Sequence, residues 1–153
     1  MKKIYAFLAQ GFEETEALMV IDLMRRSHTI DVVTVSVTDE LMVESSHKVN
    51  IKADKLIKDI NFDEGNGIFL PGGIPGTPNL EACDMLKQAI LKYYKEGKYL
   101  TAICAAPSIY SHLGLLKDKR ATCHGSFEKE MDCKEYGGSV VTDGQFVTAN
   151  GLG

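Results

Sequence analysis

The residues best placed to do chemistry surround Cys104, in the stretch from Tyr99 to Tyr110, Tyr-Leu-Thr-Ala-Ile-Cys-Ala-Ala-Pro-Ser-Ile-Tyr. Its apolar start, 99–103, has the length and composition of a buried strand. Pro107 suits the first turn of a helix, where its missing N–H would have no helical partner. A strand that turns abruptly into a helix needs small neighbours at the crossing point, and Ala102 and Ala106 stand two residues to either side of Cys104. The apex residue of such a turn is pushed out of the sheet. That is the nucleophile elbow described for Gly-x-Ser-x-Gly enzymes, here carrying cysteine. A thiol at a helix start feels partial positive charge and gives up its proton more easily. The competing reading is a small buried core cysteine, the common fate of a free thiol. This stretch alone leaves both open.

Three further groups stand out. Glu13, Glu14 and Glu16 follow the first apolar run, Pro71-Gly72-Gly73 follows another, and His124 follows Cys123. Each has a plain structural reading. The glutamates match the positive end of a helix dipole, the glycines make a turn, and His124 joins His28, His47 and His112 as a surface histidine. Glycine at a strand end also lets backbone N–H groups approach a substrate oxygen. The Pro71–Gly76 loop lacks both the Lys-Ser/Thr of a P-loop and the GxGxxG spacing, so it calls for no nucleotide. Cys123, His124 and Cys133 match no standard zinc spacing, and no metal or other cofactor is assigned.

The elements that would position these residues follow from the periodicity. Ile4 to Ala9 reads as a strand, and Glu13 to Arg26 as a helix with acids first and Arg25 and Arg26 last; Leu18, Ile21, Ala17 and Met24 are expected to face the sheet. Thr29 to Val37 is a β-branched strand, and Leu41 to Lys52 a small β-hairpin excursion around Ser45-Ser46-His47. Gly67 to Leu70 is a buried strand, and Asn79 to Gly97 one helix with Leu80, Leu86, Ile90 and Tyr94 along a stripe. Arg120 to Cys123 is a short strand ending at His124. Ser139 to Thr142 and Gln145 to Ala149 pair through an Asp143-Gly144 turn. Strands alternating with helices predict an α/β fold, a doubly wound, mostly parallel sheet with helices on both faces, in one domain over 1–153. Ligands of such sheets bind at the carboxyl ends of the strands. That rule brings Cys104, the glutamates, Gly72, Gly73 and His124 to one cleft.

Composition narrows the class. With 153 residues, 44% hydrophobic and 25% charged, the chain has ordinary globular proportions. A net charge of -4 gives no electrostatic reason to bind nucleic acid or an anionic membrane. No apolar run approaches the roughly 20 residues that span a bilayer. Met1 to Ala9 runs directly into glutamates, so it reads as a strand and not a signal peptide. The four cysteines form no CxxC pair and are expected to be reduced thiols in a cytoplasm.

Taken together, Gly11-Phe12-Glu13-Glu14-Thr15-Glu16, Leu70-Pro71-Gly72-Gly73, Ala102-Ile103-Cys104-Ala105-Ala106-Pro107 and Thr122-Cys123-His124 resemble the DJ-1/PfpI (ThiJ) superfamily in order and spacing along almost the whole chain. The resemblance implies a flavodoxin-like fold. By motif position it implies that Cys104 is the nucleophile, Glu16 the glutamate that hydrogen-bonds it, and His124 the residue beside it. The backbone N–H groups of Gly73 and Ala105 match the family's oxyanion-type pocket. A carboxyl group against a thiolate must share a proton with it, so Glu16 is expected to be the protonated partner. Two departures are visible: Gly125 follows His124 where many relatives have another residue, and after Asn150-Gly151-Leu152-Gly153 relatives continue into one more helix, which leads to the expectation that a C-terminal helix is missing.

The resemblance implies glutathione-independent glyoxalase or deglycase-like chemistry on a small aldehyde, and a homodimer. Two alternatives use the same thiolate: an oxidative-stress sensor or chaperone, in which Cys104 is oxidised, and an intracellular cysteine peptidase.

Overall fold

The computed structural model describes residues 1–152. Seven strands form one sheet: β1 (Lys2–Leu8), β2 (Ile30–Ser36), β5 (Lys55–Leu56), β6 (Gly67–Leu70), β7 (Tyr99–Ile103), β10 (Val140–Asp143) and β11 (Phe146–Ala149), in the order β10-β11-β7-β6-β1-β2-β5. Every neighbouring pair is parallel except β10–β11. The hairpin excursion is the antiparallel pair β3 (Met42–Glu44) and β4 (Asn50–Lys52). The helices are α1 (Glu14–Arg26), α2 (Gly76–Glu81), α3 (Asp84–Lys95) and α4 (Pro107–His112). This is the flavodoxin-like α/β architecture. From β1 the chain first builds outward through β2, then returns to add β6 and β7 on the other side, so the order reverses beside β1. That switch point is where doubly wound sheets open a crevice.

Alternation along β1 explains the two-faced core, because successive side chains of a strand point to opposite faces. Tyr5, Phe7 and Ala9 join Leu80, Leu86, Ile90, Tyr93 and Ile109 from α2, α3 and α4. Ile4, Ala6 and Leu8 join Ala17 and Ile21 of α1. Each fully buried large side chain contributes roughly 1.5–3 kcal/mol by removal from water. Tyr93 also meets its polar requirement: its hydroxyl donates to the Phe62 carbonyl at 2.6 Å.

Three expectations are corrected. The helix expected over Asn79 to Gly97 is two helices: α2 ends at Glu81, Cys83 has extended backbone, and α3 starts at Asp84. That break shifts the apolar stripe, burying Tyr93 and leaving Tyr94 half-exposed. Likewise Leu18 of α1 points outward, and Ala17 and Ile21 do the packing. The strand expected over Arg120 to Cys123 is only β8 (Arg120–Ala121), paired in parallel with β9 (Glu135–Tyr136) as a separate two-stranded sheet. His124 therefore does not leave a strand of the main sheet. The further helix expected after Gly153 lies outside the described residues.

Candidate active site

β7 ends at Ile103, and the chain reverses through Cys104 into α4. Cys104 has φ +62, a left-handed backbone that costs a residue with a Cβ roughly 1–2 kcal/mol. Such strain persists only where the surroundings impose it. Here they do. The Cys104 N–H donates to the Ala149 carbonyl at 2.9 Å, and its carbonyl accepts the His124 N–H at 2.7 Å. Ala102, Ala105 and Ala106 are all buried around the crossing. Pro107 occupies the start of α4. The elbow read from the sequence is present.

Glu16 reaches the same point from α1. The helix start is fixed by Glu13, whose carboxylate accepts the Glu16 N–H at 2.6 Å in the capping position. Glu16 itself is only 2% exposed, and its Oε2 has no hydrogen-bond partner among the described residues. Two glycines press this carboxyl and the thiol together. A Cβ on Gly72 would lie 2.6 Å from Cys104 Cβ and 2.8 Å from Glu16 Oε2. One on Gly151, at φ +107, would lie 3.0 Å from Glu16 Oε1 and 3.3 Å from Cys104 Sγ. Glycine is required at both places because any side chain would part the two groups.

The electrostatics of this pair differ from those expected of a helix start alone. Burial, and the Glu16 carboxylate when ionised, push the Cys104 thiol up to about 12, while the Ala105 N–H acts in the opposite sense. Burial likewise raises Glu16 above the ordinary carboxylate range, despite its contact with Cys104 and the N–H groups of Leu152 and Gly72. The lowering expected from α4 is overridden because this helix has only six residues and the thiol is half-buried beside an acid. Two adjacent anions are unfavourable here, so the pair holds one proton in common.

Gly73 lies on the facing loop with φ +102, its Cα packed so closely on α1 that a Cβ would fall 2.4 Å from the Glu13 nitrogen. The Gly73 N–H makes no backbone hydrogen bond among the described residues. His124 is brought to Cys104 through its backbone, while its imidazole is exposed and caps the 3-10 turn Gly125–Glu130. Its Nδ1 accepts the Ser126 N–H at 3.2 Å and lies 2.7 Å from Ser126 Oγ. A ring nitrogen that accepts carries no hydrogen, which leaves Nε2–H as the donor of the neutral ring. Sequence reasoning placed Gly72 at the cleft without its role against the thiol, and passed over Gly151 and Ser126. Gly72 stood inside a motif already singled out, whereas Gly151 gave no signal until the end of β11 was seen to pack on the elbow.

Fold and site define an α/β protein with a strained cysteine elbow facing a buried glutamate. A model of the DJ-1/PfpI family matches residues 2–153, and the chain belongs to that family. It is 37% identical over 155 residues to protein DJ-1 homolog B of Arabidopsis thaliana, covering 99% of this chain and 35% of that protein. Homolog A of the same plant is 34% identical, with 99% and 40% covered. The chain thus spans well under half the length of these two relatives. Among solved structures, oxidised Toxoplasma gondii DJ-1 superposes with a TM-score of 0.94 at 32% identity, over 99% of this chain and 83% of that one. The glutathione-independent glyoxalase DJR-1.2 of Caenorhabditis elegans is 27% identical over 92% of this chain and 75% of its own length. The deglycase PfpI of Pyrococcus furiosus is 24% identical over 96% and 89%.

Proposed function

We propose that this chain is a cysteine-dependent enzyme that converts small 2-oxoaldehydes such as methylglyoxal to 2-hydroxy acids without glutathione. The observation that carries this reading is the buried Glu16 Oε2, without a partner among the described residues, beside the thiol of a strained elbow. A buried carboxylate oxygen without a partner is costly, which favours the shared proton on Glu16 against the burial that holds it on the Cys104 sulfur. Cys104 is then the anion, next to the Ala105 N–H. Relatives named as a glyoxalase and a deglycase support a small-molecule substrate.

In this mechanism the Cys104 sulfur adds to the aldehyde carbon, and the carbonyl electron pair moves onto oxygen. The Gly73 and Ala105 amides stabilise that oxyanion, which takes a proton to give the hemithioacetal. The hydrogen on the former aldehyde carbon leaves as a proton, giving an enediolate. Reprotonation at the neighbouring carbon gives the thioester of a 2-hydroxy acid. Glu16 and the Nε2–H of His124 exchange these protons. Water then hydrolyses the thioester and restores the thiol. One aldehyde and one water give one 2-hydroxy acid, with no external oxidant or reductant.

The test is turnover of methylglyoxal by purified protein in the absence of glutathione. Many turnovers per chain are expected, abolished by Cys104→Ala and slowed roughly 10²-fold by His124→Ala. No turnover on any 2-oxoaldehyde, together with peroxide adding two oxygens to Cys104 and sparing the other thiols, would replace this reading with that of an oxidation sensor.

A further inference from the structure

We propose that Glu13 is the positioning residue of the Cys104–Glu16 pair, holding both walls of the site in place and setting, through its charge, the pH at which the Cys104 thiolate forms. The inference rests on the pairing proposed above and adds a regulator to it.

Glu13 occupies the one position bonded to both sides. Its side chain accepts the Glu16 N–H at 2.6 Å, fixing the first turn of α1 and hence the direction in which Glu16 projects. Its own N–H donates to the Gly72 carbonyl at 2.8 Å, tying the same residue to the glycine loop. Gly73 packs against the Glu13 nitrogen so tightly that no side chain fits between them. A shift in the cap would therefore move the acid, the face of the thiol covered by Gly72, and the Gly73 amide together.

The charge argument separates Glu13 from its neighbours. Glu14 is engaged by a contact of 3.0 Å to His47 Nδ1, supported by the Ser46 hydroxyl at 3.1 Å. His124 turns its Nδ1 to Ser126 and presents no carboxylate. Glu13 makes no salt bridge among the described residues, although a His47 ring nitrogen lies within 4.8 Å of its carboxylate, and that carboxylate acts to raise both Glu16 and Cys104. A carboxylate 2.6 Å from the Glu16 nitrogen disfavours a further negative charge on the neighbouring thiol and so resists formation of the thiolate.

The experiment is the pH profile of Cys104 alkylation by iodoacetamide, followed by mass spectrometry, in wild type, Glu13→Gln, Glu13→Asp and Glu13→Ala. Glu13→Gln keeps an acceptor for the Glu16 N–H and removes only the charge, so its profile should shift about one pH unit downward with a nearly unchanged unfolding midpoint. Glu13→Asp should stay close to wild type. Glu13→Ala loses both cap and charge, and should shift downward while also unfolding earlier. A Glu13→Gln profile that coincides with wild type overturns the proposal, because the cap alone would then account for the residue. The readout is thiol ionisation and not turnover, so a failure on methylglyoxal refutes the enzyme reading without touching this result.

Discussion

Two clusters of titratable groups in this molecule solve the same problem in opposite ways. At His112, both ring nitrogens meet carboxylates: Nδ1 lies 2.5 Å from Glu81 and Nε2 2.8 Å from Glu130. All three groups are partly exposed, both ring nitrogens are matched, and the backbone around them is ordinary helix and turn. At the elbow, Glu16 is 2% exposed with an oxygen left unpartnered, and Cys104 sits in a left-handed conformation. The first cluster lowers the free energy of the fold. The second raises it, and is held in place by the sheet beneath and by glycines that leave no slack. Unpaired buried groups and backbone strain concentrate where a protein does chemistry, which makes the contrast a guide to what each cluster is for.

The contrast breaks most severely at Gly72. Alanine there would drive a Cβ to 2.6 Å from Cys104 Cβ and 3.0 Å from the Ile103 carbonyl, both fixed by the backbone of the elbow, and to 2.8 Å from Glu16 Oε2. Gly72→Ala should cost on the order of 3 kcal/mol, lowering the unfolding midpoint by roughly 10 °C, and should abolish selective alkylation of Cys104. Gly125→Ala, beside His124, is the control: nothing lies within 4 Å of its added Cβ, so the midpoint should stay within about 0.5 kcal/mol of wild type. Equal effects of the two substitutions would show that the pair is not squeezed by the loop.

A smaller and more informative effect is expected at Glu16. If the shared proton sits on Glu16 and the hydrogen bond stabilises the thiolate, Glu16→Leu should raise the pH needed to alkylate Cys104 by about one unit or more. Glu16→Gln keeps an N–H donor and should raise it less. The opposite sign is equally clear-cut. If Glu16 is instead the anion that pushes the thiol up, Glu16→Leu relieves the repulsion and alkylation moves to lower pH. A downward shift would place the proton on sulfur and undo the proposed mechanism.

Much of this arrangement is legible in the sequence. The elbow announced itself because small residues and an N-terminal proline are local signals, and local signals survive folding. The strands of the parallel sheet were found because apolar runs bounded by turn residues are short-range too. What escaped depends on distance in the chain. Gly151 matters only because β11 lies beside β7 and returns the end of the described chain to Cys104, 47 positions earlier in sequence. The break between α2 and α3 was hidden because residues 79–97 keep an acceptable helical pattern across Cys83. The thiol's environment was misjudged for a related reason. Position after a strand and before a proline suggests a helix dipole, but the length of α4 and the burial of Glu16 appear only in three dimensions. His124 meets the cysteine through a backbone hydrogen bond from a loop and not from a neighbouring strand of the sheet.

The smallest effect belongs to the satisfied cluster. An imidazole bonded through both nitrogens to carboxylates must carry both hydrogens, so His112 is the cation of a three-group clasp joining α2, α4 and the turn before Met131. Burial works against that charge, but Glu130 and Glu81 together outweigh it and raise the His112 pKa above its usual value. The sign of the pH dependence follows. A group whose pKa is higher in the folded state stabilises fully below its unfolded pKa of about 6.5 and ceases to as pH rises through the folded value. His112→Gln should therefore cost most near pH 6, where an exposed clasp of this kind is worth about 1 kcal/mol or less, and progressively less on going to pH 9. Paired unfolding curves at the two pH values measure this directly. Cys104 alkylation in His112→Gln should follow the wild-type profile, because no group of the clasp acts on Cys104 or Glu16. A stability gap that widens with pH would refute the charged clasp, and a shifted Cys104 profile would show that the two clusters are coupled and that their contrast is one of degree.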